Sequence, residues 1–172
     1  MASDPVAEAL ASDFGRAALM LSTATDRASR YFSNPVLFSH ECIRWPDGYS
    51  LADYQEEIMM LLVNEMRVAS RGPRGYGKSA AFALLIIWFA ITRELAGIPW
   101  KIVTTAGAWA QLEDYLWPEV HTWVSRIRWD VLGMDPWRND RELLKLGIQL
   151  PHGSAIAANP KVSARIEGGH AA

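Results

Sequence analysis

The chain of 172 residues has one cysteine, Cys42, so no intrachain disulfide can form and the fold must be held by its core. Long apolar runs are missing. The longest, from Ala80 to Ile91, falls short of the roughly 20 residues a bilayer-spanning helix needs. The N-terminal stretch MASDPVAEALASDFGRAALM has no basic region ahead of its apolar residues, which excludes the pattern of a signal peptide. Neither charge predominates: 17 basic against 19 acidic side chains give a net charge of −2, so nucleic acid or an anionic membrane would have to be met by a local patch. His40 lies close to Cys42, but His121, His152 and His170 are isolated and show no metal-ligand spacing. Internal repeats and an evident linker are also missing.

What is present is a core. Half of the residues are apolar, enough for one compact domain. Eight tryptophans are read as large core side chains in preference to base-stacking platforms. Residues 1–33 form a loosely packed N-terminal extension, and residues 34–172 form the main domain. Within it, NPVLFSHECIRW reads as a short amphipathic helix with Val36, Leu37, His40 and Ile43 near one face. PDGYS is a turn, after which Ser50 is expected to cap the helix LADYQEEIMMLLVNE. MRVAS reads as a strand, and KSAAFALLIIWFAITREL as a helix that is apolar nearly all round, ended by Gly97 and Pro99. KIVTTA is β-branched and reads as a second, buried strand. The helix AWAQLEDYLWPEVHTWVSRI carries Trp109, Leu112, Leu116, Val120 and Trp123 on one side and should kink or divide at Pro118. DVLGMDPWRNDRELL reads as loop and then briefly helix. GIQL and AIAA flank PHGS as a hairpin, and NPKVSARIEGGHAA reads as a turn and a weak strand. The alternation of strand and helix predicts an α/β fold with a parallel sheet flanked by helices.

Between the first strand and the apolar helix lies GPRGYGKS, Gly72 to Ser79, which matches the phosphate-binding pattern G-x-x-x-x-G-K-[ST] at every position. Gly72, Gly75 and Gly77 permit backbone angles a Cβ would forbid and let amides close on phosphate oxygens. The helix that begins at Lys78, Ser79 and Ala80 points its positive dipole end at the same anion. Lys78 is expected to reach the β- and γ-phosphates, and Ser79 to place its hydroxyl on Mg²⁺. Pro73 stiffens the loop entrance, and Tyr76 lies within the loop. Arg74 is either a solvated loop residue or a guanidinium that stabilises the transferring phosphate in cis; Arg71 is read as solvated. Gln55 is either a surface residue or, from its place ahead of the loop, an amide that reads an adenine edge.

This ordered set resembles the large terminase subunit of tailed bacteriophages, from about residue 34 onward. NPVLFSHECIRW with YQEEIM is similar to that family's lead-in and adenine motif, and GPRGYGKS to its Arg-containing Walker A loop. KIVTTAGAWAQLEDYLWPEVHTW, with Trp117, Pro118 and Glu119, is similar to the strand and helix that follow, and HGSAIAANPKVSARIEGGHA to the segment leading to Walker B. The resemblance implies a P-loop NTPase fold of the ASCE, RecA-like kind. It also implies ATP and Mg²⁺ as cofactors, with Lys78 and Arg74 catalytic. Gln55, Gly72, Pro73, Arg74, Gly75, Tyr76, Gly77, Lys78, Ser79 and Ala80 would bind the nucleotide, and Ser79 the metal. The implied partners are double-stranded DNA, the portal, the small terminase subunit and further copies in a ring, with no membrane. The implied location is the cytoplasm of the bacterial host at the procapsid.

The family's next element, an apolar strand ending in Asp-Glu, and its C-terminal nuclease domain are not seen in these residues. The expectation is therefore the first part of a packaging ATPase that does not hydrolyse ATP by itself. Two other readings stay open: a helicase-like P-loop ATPase, and a non-catalytic nucleotide-binding module. Arg126, Arg128, Arg138 and Arg141 are interspersed with acids and read as a solvated mixed-charge surface.

Overall fold

The computed structural model describes residues 26–73 and 75–159. The central element is the helix α3, Lys78–Leu95, with ten buried residues from Ala81 to Thr92. A helix buried on most sides needs neighbours on most sides. Three helices and the sheet supply them: α1 (Pro35–Cys42), α2 (Asp53–Glu65) and α4 (Trp117–Val124) all pack on α3, as do strands β1 (Trp100–Thr104) and β4 (Gly153–Ala157). Helical residues 26–31, a π-helical turn (Gln111–Leu116), a short helix α5 (Trp129–Leu132) and strands β2 (Leu143–Leu144) and β3 (Gly147–Leu150) complete the described elements. None of the described helices is long and apolar enough to cross a membrane.

The sheet has the order β1-β4-β3-β2. It is mixed, and this corrects the expectation of a parallel sheet: β1 and β4 run parallel, while β4, β3 and β2 are antiparallel neighbours. The hairpin turn at PHGS returns β4 beside β3, which forces the antiparallel pairing. Gly153 is required there, because a Cβ would run into the Trp100 carbonyl. Among the described residues β1 has no partner on its other edge. Trp100 N–H donates to His152 and Thr104 C=O accepts from Ala158. The backbone groups of Lys101 and Val103 therefore face the other way, as alternation in a strand dictates.

MRVAS is not a strand. Met66 ends α2 in the left-handed region at φ 57°, and residues 67–70 run on without a ladder partner. Val68 is the stretch's one β-branched residue, too little apolar surface to hold a strand in place. Helix α1 buries Pro35, Phe38, Ser39 and Cys42; of the expected face, Ile43 just past the helix is buried, Val36 and Leu37 are only partly buried against the core, and His40 is exposed. Phe38 offers more apolar area than either Val36 or Leu37 and takes the core position. Its first turn is capped by Asn34, whose Oδ1 accepts from Leu37 N–H at 2.8 Å. Ser50 caps nothing, since its hydroxyl donates to Leu51 C=O and α2 begins later, at Asp53. Leu143–Leu144 are strand, not helix, because pairing with β3 buries Leu143.

Pro118 divides its helix as expected. Residues Gln111–Leu116 form a π-helical turn and α4 starts at Trp117. Proline has no N–H to continue the ladder, and the wide turn absorbs the missing bond. Trp109 is exposed, whereas Trp117 is fully buried. Trp88, Trp100, Trp117, Trp123 and Trp137 are all core residues, which supports reading the tryptophans as packing. Arg138 and Arg141 both pair with Glu142, as a mixed-charge surface would. His40 pairs with Glu56 at 2.8 Å. Burial pushes the Cys42 thiol up to about 11. Residues 1–25 and 160–172, with the weak strand read after Asn159, lie outside the described residues.

Candidate functional site

The glycine loop sits where α2 meets the start of α3. Gly75 and Gly77 have φ of 78° and 74°, left-handed values that other residues rarely adopt. Gly77 is also sterically confined: a Cβ there would lie 2.9 Å from both the Gln55 amide nitrogen and the Tyr54 hydroxyl. A glycine is needed at this position twice over, for its angle and for the approach of α2. Gly77 is the N-cap of α3 and offers no side-chain cap. The N–H groups of the first turn therefore have no partner within the helix, and they face the loop with the positive end of the helix dipole behind them.

Lys78 reaches back across the loop. Its Nζ donates to Gly72 C=O at 2.8 Å and to Pro73 C=O at 2.6 Å. Among the described residues no carboxylate forms an ion pair with it. An ammonium satisfied by two neutral carbonyls keeps its full charge available to an anion. Ser79 is exposed beside it.

Gln55 is buried, and both ends of its amide are used. Oε1 accepts from Ala52 N–H at 3.0 Å, which caps the start of α2, and Nε2 donates to Gly77 C=O at 2.9 Å. This side chain joins the helix to the loop. The tie is reinforced by Tyr54 and Tyr76, whose rings stack with centroids 4.2 Å apart and planes 30° apart. Burial, and secondarily the neighbouring Tyr76 hydroxyl, raises the Tyr54 pKa, so its hydroxyl stays neutral at ordinary pH.

Three clefts adjoin the loop, and two of them reach Ser79. One, of about 1030 Å³, runs between α3 and β1 and is lined by Lys78, Ser79, Phe82, Val103 and Thr105 among others. A smaller one, of about 190 Å³, joins Ser79 to Asp114 and Glu119. Glu119 also accepts from Trp123 Nε1 at 3.1 Å.

The structure thus brings together Gln55, Gly72, Pro73, Gly75, Tyr76, Gly77, Lys78, Ser79 and Ala80; Arg74 lies outside the described residues. Tyr54 carries no signal in the sequence that sets it apart from the rest of its helix. Asp114 stands on the π-helical turn and lines a cleft with Ser79, and no pattern in the sequence announces that turn. Among the described residues no group of three or more His, Cys, Asp or Glu is placed to hold a metal, so Ser79 is the residue on which an Mg²⁺ site would rest. No protein-family model, curated protein or solved structure matches the chain.

Proposed function

We propose that the glycine loop binds the phosphates of ATP with Mg²⁺, and that the chain is the ATP-binding portion of a P-loop motor of the terminase type, which drives double-stranded DNA into a phage procapsid. One observation carries the reading. The Lys78 ammonium stands over a loop with left-handed glycines at the head of an 18-residue helix, held among the described residues by carbonyls alone. A cation, free amides and a helix dipole converging on one concavity suit a polyphosphate.

In this reading Gly75 and Gly77 let the loop amides close on phosphate oxygens. Lys78 leaves the carbonyls of Gly72 and Pro73 for the β- and γ-phosphates, and the Ser79 hydroxyl holds the metal. Hydrolysis of the γ-phosphate is the chemistry that ATP would supply to translocation. The cleft carboxylates Asp114 and Glu119 lie on the Ser79 side, where they can hold water around a cation. The resemblance to terminases extends this binding site to the portal, the small subunit and a ring of copies.

Isothermal titration of the chain with ATP and Mg²⁺ tests the proposal. Binding is expected, and Lys78→Ala should weaken it by about tenfold or more, since charge-assisted contacts to phosphate are lost. Equal affinity of the two proteins would refute the loop's assignment.

A further inference from the structure

A nucleotide held by its phosphates at this loop must also put its base somewhere. The residue type expected to read that base is Gln55, but both ends of its amide are already engaged within the protein. One end caps α2 through Ala52, the other holds the Gly77 carbonyl, and the side chain is 8% exposed. Releasing either end would leave a buried polar group unpaired. A different surface is available beside it. Tyr76 stacks one face on Tyr54 and remains 50% exposed. Both tyrosines line a cleft of about 280 Å³ that also contains Ile58, Leu61, Gly72 and Lys78. The cleft therefore adjoins the phosphate cradle and offers an aromatic ring and aliphatic side chains. Its charged rim residues, Glu57 and Arg71, are exposed, where water competes with any hydrogen bond they make.

We infer that the nucleobase is held by stacking against Tyr76 in this cleft and not by hydrogen-bond readout from Gln55, so that the loop takes adenine and guanine nucleoside triphosphates alike. Tyr54 is the ring that holds Tyr76 in place, and Gln55 is a positioning residue for the loop. This inference rests on the phosphate-binding reading above. Stacking discriminates weakly among bases because every base has a π-face. A site built on hydrogen bonds to one base edge rejects the other base far more strongly.

The test compares three probes by isothermal titration on the full chain with Mg²⁺: ATP, GTP and inorganic tripolyphosphate, which has no base. ATP and GTP should bind with comparable affinity, and both more tightly than tripolyphosphate. Tyr76→Ala and Tyr76→Leu should each lower ATP and GTP affinity by roughly tenfold relative to their effect on tripolyphosphate, the order of one lost base–aromatic stack. The half-exposed position of Tyr76 lets both variants fold. Gln55→Ala should weaken all three probes together, because it loosens the loop and not a base contact. A preference for ATP over GTP of more than about tenfold would overturn the inference. So would a Gln55→Ala loss confined to ATP, or ATP affinity that ignores Tyr76. In each of those cases tripolyphosphate binding that depends on Lys78 leaves the phosphate cradle standing. Absence of any tripolyphosphate or ATP binding to the wild-type chain overturns the cradle and the base site together.

Discussion

The two ends of α3 are both tied to the rest of the molecule through a polar side chain, Gln55 at one and Glu94 at the other, yet they are built for opposite purposes. At the C-terminal end, Glu94 is almost wholly buried. Its carboxylate accepts from Trp100 Nε1 at 3.0 Å and from His152 N–H at 3.2 Å, and it pairs with His152 Nδ1 at 2.8 Å. Every oxygen there is occupied, and the hairpin is fixed to the helix. At the N-terminal end, Gln55 holds the carbonyl of Gly77, but among the described residues no side chain caps the amides beyond it. The closed end fixes the helix against the sheet. The open end leaves donors and a cation unspent, which is costly for a helix terminus unless an anion arrives. Between the ends lie Ala83 to Thr92, nearly all buried, so the position of the open end is set by packing far from it.

If this division holds, substitutions in the middle and at the closed end should lower stability without changing phosphate recognition in the protein that remains folded. Ile87 is fully buried in the core. Ile87→Ala should cost about 2–5 kcal/mol, from lost transfer energy and the cavity left behind, measured by urea unfolding. Glu94→Ala should cost less, about 2 kcal/mol, because it strands the buried Trp100 indole donor and frees the hairpin. Titration of folded Glu94→Ala protein with tripolyphosphate should give wild-type affinity. Weakened binding there would mean that the two ends are coupled and that the comparison fails.

A smaller effect concerns the shoulder of the scaffold. Hydrogen bonds from Arg30 and from Tyr31, followed by the Arg30 charge, hold the Glu41 carboxyl below the usual carboxylate range. A carboxylate whose folded pKa lies below its unfolded value adds stability above the unfolded pKa and loses it as the pH falls through the folded one. Glu41→Gln should therefore reduce stability at neutral pH slightly, since the pair is largely exposed, and should flatten the acid side of the stability profile. Thermal melts from neutral to acid pH check this. An unchanged acid limb would assign the acid sensitivity to other carboxylates.

Some of this architecture could be read from residues in order. The helix after the glycine loop, the strand at KIVTTA (though not its expected burial, since Lys101 and Val103 are exposed), the hairpin around Gly153 and the break at Pro118 all follow from local chemistry: apolar periodicity, β-branching, and what glycine and proline permit. The loop was legible for the same reason, because Gly75 and Gly77 are needed where φ is positive. What local chemistry does not carry is competition between surfaces. Val36, Leu37 and His40 form as plausible a face of α1 as Phe38 and Cys42 do, and only the packing on α3 selects the latter. MRVAS has strand-like residues but no neighbour to pair with among the described strands. The double use of Gln55 is a tertiary fact, since its loop partner is 22 positions away. Ser50 and Gln55 compete to cap the same helix, and the side chain that can also reach Gly77 prevails.

The central claim, that the open end of α3 is an anion cradle, is tested most directly by amide hydrogen exchange with and without ATP and Mg²⁺. The account predicts new protection concentrated in Gly75–Ala80 on addition of nucleotide, and its loss in Lys78→Ala. Exchange in this segment that is indifferent to nucleotide, or nucleotide-dependent protection that survives Lys78→Ala, would contradict it.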